Sequence, residues 1–246
     1  MSTQLEDLNP SPSHPVSNQS TPPTPYCQGL SELPSATSER ALLALHAPTP
    51  PTPLSIHLSH GLAYTTGSAL GSHPPSVEQC HVAFLVPNRV GLTAGARAWT
   101  KHFHRSQGPI AASPGDDDVT AKESEKKRKE KSEGWWGIAK GSVSSLNELA
   151  EKLFWRVMDG ASWRNLHWLP HFVLVYEVRV PEGYGMRWSQ DQSGGDGGVD
   201  GVRIEADGSS GDGGGGLPGL REDRPWVFRG FVEPMMEDGH EKGWRH

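Results

Sequence analysis

Residues 145–180 read SLNELAEKLFWRVMDGASWRNLHWLPHFVLVYEVRV, and they decide the fold class. Ser145 followed three residues later by Glu148 has the form of a capping box, in which a hydroxyl and a carboxylate satisfy the free N–H groups of a first helical turn. Leu146, Leu149, Ala150, Leu153, Phe154, Val157 and Met158 then recur at i, i+3, i+4 and i+7, so they fall on one side of a helix. After Gly160 the stretch ASWRNLHWLPH reads as a compact aromatic connector. Phe172 to Val180 is rich in β-branched and aromatic residues and predicts a strand. The spacing of Leu149, Leu153, Phe154 and Val157 forms an apolar stripe that would pack on that strand.

Working outward, Pro181-Glu182-Gly183 supplies turn chemistry and lets Tyr184 to Ser189 return as a second strand. Trp226 to Val232 reads as a third. Upstream, His81 to Val86 predicts a further strand, and Ala94 to Phe103 a helix with Ala96, Ala98, Trp99 and Phe103 on or near its buried side. The expected class is α+β: a small antiparallel sheet with one or two packed helices.

Three tracts interrupt this pattern. Of 246 residues, 29 are Gly and 21 are Pro, and only 34% are hydrophobic. Residues 1–55 hold 11 of the prolines among many Ser and Thr, which predicts extended, solvated chain. Residues 106–134 contain SPGDDD and KESEKKRKEKSE, a charged tract without apolar periodicity, and 191–223 hold 12 of the glycines; both are expected to be disordered insertions. Folded sequence is then left to 56–105, to the helix and strands of 135–190, and to a last strand and tail over 224–246.

The opening MSTQLEDLNPSPSHP lacks the charged start and apolar run of a secretory signal, and the longest apolar stretch, Phe172 to Tyr176, falls far short of the roughly 20 residues that span a bilayer. Cys27 and Cys80 form no CxxC pattern, so they are expected as free thiols of a reducing compartment. Lys126-Lys127-Arg128-Lys129 matches the short basic pattern of a nuclear import signal. The expected location is therefore cytoplasmic or nuclear, with no membrane partner.

Eight of the nine Trp lie after residue 134, interleaved with Arg and His. The segments ASWRNLHWLPH, YEVRVPEGYGMRW and FRGFVEPMMEDGHEKGWRH resemble those of a family of uncharacterised, mostly fungal hypothetical proteins that carry GYGxRW and end in a similar FRGFxEP…DGHExGWRH block. The resemblance covers roughly Ser145 to His246 apart from the Gly-rich tract and implies no activity.

Trp and Arg are over-represented at binding hot spots, which makes Arg164, His167, His171, Arg187, Trp188, Arg229 and Trp244 the candidate ligand contacts. The expectation is a binding protein for a protein or small-molecule ligand. The alternative is a small hydrolase: Glu233, Glu237, Asp238 and His240 lie close together in the tail, and carboxylates beside an imidazole can carry acid–base chemistry. In either case the tail from Glu233 to His246 would fold back beside Arg164 and His167 into one shared site. Neither reading calls for a cofactor. No HExxH or CxxC pattern is present, and Pro170 breaks the helical spacing of His167 and His171, so no metal is expected. Cys80 and His81 would point to opposite faces of a strand, and the glycines at 211, 213 and 216 lack the flanking strand and helix of a phosphate loop. Arg229-Gly230-Phe231-Val232 matches only the start of an RNA-binding consensus, with Tyr184, Trp188, Trp226 and Phe228 as a conceivable stacking platform. A formal charge of −6 argues against nucleic acid as a partner.

Overall fold

A computed structural model describes residues 24–106, 134–193 and 223–235. The described residues form an α+β fold. Five α-helices, α1 (Ala36–Leu45), α2 (Pro53–Ser59), α3 (Val77–Leu85), α4 (Ala94–His102) and α5 (Val143–Asp159), accompany four strands. The strands are β1 (Trp163–Leu169), β2 (Val173–Arg179), β3 (Gly185–Asp191) and β4 (Val227–Val232), in the order β1-β2-β3-β4 with every neighbour antiparallel.

The sheet presents two unlike faces because side chains alternate along each strand. Leu166, Leu174, Tyr176, Val178, Met186, Trp188 and Phe228 lie on the helix-packed face and are buried with Phe84 of α3, Ala96 and Trp99 of α4, and Ala150, Phe154, Val157 and Met158 of α5. Aromatic rings interlock there: Phe84 lies 5.1 Å from Phe154 and 4.9 Å from Phe228, centroid to centroid. Gly95 makes this approach possible, since a Cβ on it would fall 2.0 Å from the Phe84 ring. The opposite face carries Asn165, His167, Glu177, Arg179, Arg187, Ser189 and Asp191.

Several local expectations are corrected. The predicted strand His81–Val86 lies within helix α3 and its C-cap: the Ser76 hydroxyl accepts from the Gln79 N–H and the Gln79 amide oxygen accepts from the Ser76 N–H, a reciprocal cap that starts a helix just upstream. The cap of α5 is Ser142, which accepts from the Ser145 N–H, so Ser145 stands inside the helix. Its buried stripe is Ala150, Phe154, Val157 and Met158, whereas Leu149 is 38% exposed. WRNLHWL is strand β1, not a connector.

From residue 24 on, the Pro-rich tract is also not extended chain throughout. Helix α2 starts with Pro53 at its first position, where the missing N–H costs no helical bond. Helix α1 is tied down by Arg40, whose buried guanidinium bonds Glu32 at 2.6 and 2.7 Å and the Leu62 carbonyl at 2.9 Å. Residues 63–69 then run beside β1: Ala63 and Ala69 donate to the carbonyls of Arg164 and Leu166, and Trp168 donates to that of Gly67. This covers the outer edge of the sheet, while β4 forms the other edge. The expected insertions lie outside the described residues over 107–133 and 194–222, and so does the basic run Lys126–Lys129. Among the described residues no helix is long and apolar enough to cross a membrane.

Candidate active site

The polar face is built around one buried carboxylate. Glu177, in the middle of β2, is 6% exposed; its Oε1 accepts from Arg179 Nε at 2.6 Å and its Oε2 accepts from both Nε and Nη2 of Arg187 on β3. Burial alone would raise its pKa, but the two guanidinium groups outweigh burial and hold the carboxyl below the usual range, so it stays ionised.

The two arginines are not equivalent. Arg179 is 4% exposed and its Nη1 donates to the carbonyls of Gly183 and Glu233 at 2.6 and 2.7 Å, which fastens Glu177 to the β2–β3 turn and to the chain leaving β4. The Arg187 side chain is 33% exposed and both its bonds to Glu177 leave Nη1 free. It is a fixed cation with the N–H donors of Nη1 still to offer.

His167 on β1 pairs with Val175, one diagonal step from Glu177. Of its ring nitrogens, Nδ1 is buried without a partner. Burial lowers its pKa and outweighs the Glu177 carboxylate, which acts to raise it, while the Arg187 guanidinium lowers it further, so the imidazole is neutral near pH 7. Asn165 fills the next position and donates to Thr65 Oγ1 at 3.1 Å.

A cleft of about 1450 Å³ opens beside Arg179 and Arg187, whereas His167 and Glu177 lie on the same face without lining it. Val175, Arg179, Arg187, Ser189 and Asp191 form its floor, the β1–β2 turn with His171 forms one end, and it passes over β4 to α4. Between Arg187 and Trp188 the β3–β4 register shifts, leaving Arg229 as an unpaired bulge residue that projects into the cleft. The turn is strained: His171 and Phe172 take φ of 65° and 58°, unusual for residues with side chains.

The sequence candidates are thus dispersed. His167 and Arg187 share the polar face, and exposed His171 and Arg229 line the cleft. Trp188 is fully buried on the opposite face, donating to the Cys80 carbonyl at 3.0 Å, so it belongs to the core; Phe228 joins it there, which removes the stacking platform. Arg164 also faces the helices, and its guanidinium reaches the carbonyls of Met158 and Ala161. Glu233 is 8% exposed, accepts from Trp136 Nε1 at 3.1 and 3.2 Å, and has its pKa raised by burial. It follows Val232, in the strand row of Gly185, Arg179 and Trp163, at the sheet end away from His167. The shared site of Glu233 with Arg164 and His167 is therefore corrected: Arg164 and His167 point to opposite faces and Glu233 lies at the far end. Glu237, Asp238, His240 and Trp244 lie outside the described residues. Glu177, the centre of the cluster, was missed by sequence reasoning. Among the described residues no three His, Cys, Asp or Glu side chains are placed to hold a metal.

Residues 115–200 match the family model of a CdiA C-terminal tRNase toxin domain. The matched third of the chain contains α5 and β1–β3, hence His167, Glu177, Arg179 and Arg187, and excludes α4, β4 and the tail. No curated protein and no solved structure matches the chain. The likeness to a nuclease domain corrects two expectations at once. It overturns the reading as a binding protein for a protein or small ligand and favours the hydrolase alternative, and it overturns the exclusion of nucleic acid. Net charge over the whole chain conceals the balance of the part the structure describes. The described residues hold 13 Lys and Arg against 11 Asp and Glu, a balance of +2 where the full sequence has −6.

Proposed function

We propose that this protein is an RNA-cleaving enzyme whose centre is the His167–Glu177–Arg187 group, with tRNA as the first substrate to test. The observation that carries the reading is the convergence of a neutral imidazole, an ionised carboxylate and a fixed guanidinium on one sheet face beside a cationic cleft, within the residues that resemble a tRNase domain.

These groups suit cleavage by the neighbouring 2′-hydroxyl. His167 takes the 2′-hydroxyl proton, the 2′ oxygen bonds to phosphorus, and the bond to the 5′ oxygen breaks; that oxygen gains a proton from solvent. The products are a 2′,3′-cyclic phosphate and a 5′-hydroxyl. Charge gathers on the phosphoryl oxygens in the transition state, and Arg187, held still by Glu177, offers its free Nη1 there. Glu177 acts as a positioning residue and Arg179 anchors it.

The test is incubation of the full chain with tRNA, followed by analysis of the cut ends. The parent should leave cyclic phosphate termini, and His167→Gln should lower the rate by about 10²–10⁴, the usual contribution of a general base. An intact tRNA with the parent, or equal rates for the two proteins, refutes the reading.

A further inference from the structure

From the cleft we infer a second contact surface for the same substrate: the exposed face of α4 and the 3₁₀ turn after it, where Arg97, Lys101 and Arg105 hold the phosphate backbone of RNA away from the cleavage centre. This rests on the RNA-cleaving reading above, and α4 lies outside the segment that resembles the tRNase domain.

Arg97, Lys101 and Arg105 recur every four residues, are all exposed, and all line the cleft that leads over β4 to Arg187. None of them forms an ion pair among the described residues, unlike Arg40, Arg179, Arg187 and Arg224. The opposite side of α4 is committed to packing: Ala96 and Trp99 are buried, and Trp99 Nε1 donates to the Trp136 carbonyl at 2.9 Å. The helix therefore presents a stripe of unpaired cations on a rigid support. Four residues rise about 6 Å, so the stripe is about 12 Å long. A helical strand advances about 3.4 Å per nucleotide, which lets it meet roughly three phosphates. Exposed Arg229 stands between it and Arg187. The cations thus form a path from the reacting group outward, which suits a strand that continues beyond the cut more than a compact anion.

The experiment compares Arg97→Gln/Lys101→Gln/Arg105→Gln with a control triple variant of exposed cations outside the cleft, Arg89→Gln/Lys140→Gln/Lys152→Gln. Gln keeps helix propensity, and circular dichroism melting verifies that both fold. Binding of tRNA is measured across salt concentrations in full-length chains that also carry His167→Gln, and cleavage of tRNA and of a dinucleotide is measured with His167 intact. Losing three phosphate contacts should lower the slope of log affinity on log salt by about 2–3. The gap between variant and parent then narrows about 20–40-fold from 50 to 200 mM salt. The control should change neither slope nor cleavage, and dinucleotide cleavage should be the same in all three. An unchanged slope, an equal effect in the control, equal loss of dinucleotide and tRNA cleavage, or stripe-dependent binding to anionic vesicles with none to tRNA overturns the inference. Stripe-dependent tRNA binding without cleavage by the parent would instead sink the catalytic reading and leave the surface standing.

Discussion

Replacing Glu177 by Gln keeps the shape of the side chain and removes the charge between two guanidinium groups. Breaking a buried ion pair from one side costs about 3–5 kcal/mol, because the partner is left charged and desolvated. The two partners here bear that cost unequally. Arg187, with its side chain 33% exposed, can turn toward water, and such a pair contributes about 1 kcal/mol or less. Arg179 is 4% exposed and pinned by the carbonyls of Gly183 and Glu233, so its head cannot follow. The Gln oxygen can still accept from Arg179 Nε, although a neutral acceptor gives roughly half the strength of a carboxylate. The expected loss is near the lower end, about 3 kcal/mol at pH 7. With a urea dependence of about 2 kcal/mol per molar, that is a midpoint about 1.5 M lower. The pH dependence has a definite sign. The folded-state pKa of Glu177 is depressed, so its contribution is complete above the ordinary carboxylate range and disappears as pH falls through the lower folded value. Urea titrations of parent and variant should therefore differ at pH 7 and converge in acid. A difference under 1 kcal/mol at pH 7, or one that persists unchanged into acid, would refute the account of Glu177 as an ion-paired centre.

Other outcomes follow from packing and titration. Phe154→Ala should destabilise by about 3–5 kcal/mol in denaturant unfolding, since its ring is fully buried against Phe84; Leu149→Ala, at a position 38% exposed, should cost far less. Gly95→Ala should lose stability despite the better helix propensity of Ala, because the added methyl meets the enclosed Phe84 ring and overpacking costs about 1–3 kcal/mol. His57 is fully buried with Nε2 at 3.0 Å from the Ala63 carbonyl, and burial lowers its pKa. Its contribution is complete above the unfolded value of about 6.5 and declines as pH drops below it. His57→Leu should flatten the stability profile between pH 7 and 5 by up to about 1.4 kcal/mol per pH unit, measured by urea unfolding.

The helix-then-strand order of residues 145–180 was legible because periodicity of 3.6 and clustering of β-branched residues are local signals. The class followed from it. Helix α3 was not legible as a helix, since the five apolar residues after His81 suit either element and only the Ser76–Gln79 cap arbitrates. The candidate site is legible only in part: residue chemistry singles out His167, Arg187 and Arg229, yet it singles out Trp188 as well, which is core. What was missing was the face. Read in steps of two, YEVRV puts Glu177 and Arg179 on one side and Tyr176 and Val178 on the other, and a hairpin through His171 then sets His167 beside Glu177. Treating WRNLHWL as a connector hid that pairing. The N-terminal helices were hidden for a different reason, because proline content describes an average and Thr52-Pro53 is a helix start.

The strip of chain at residues 63–69 has a bearing on which part of this protein can be moved elsewhere. Its backbone donors and acceptors occupy the outer side of β1, and Ala63 with Cys27 closes over Trp163. A chain cut back to residues 115–200 would keep the hairpins that hold His167, Glu177 and Arg187, yet it would bare β1 on one side and, without β4, β3 on the other. Unprotected strands of that kind join one another across molecules. The segment with the recognisable likeness therefore holds the proposed catalytic group without being a portable unit, and any transplant has to carry the N-terminal wrapping and β4 along with it.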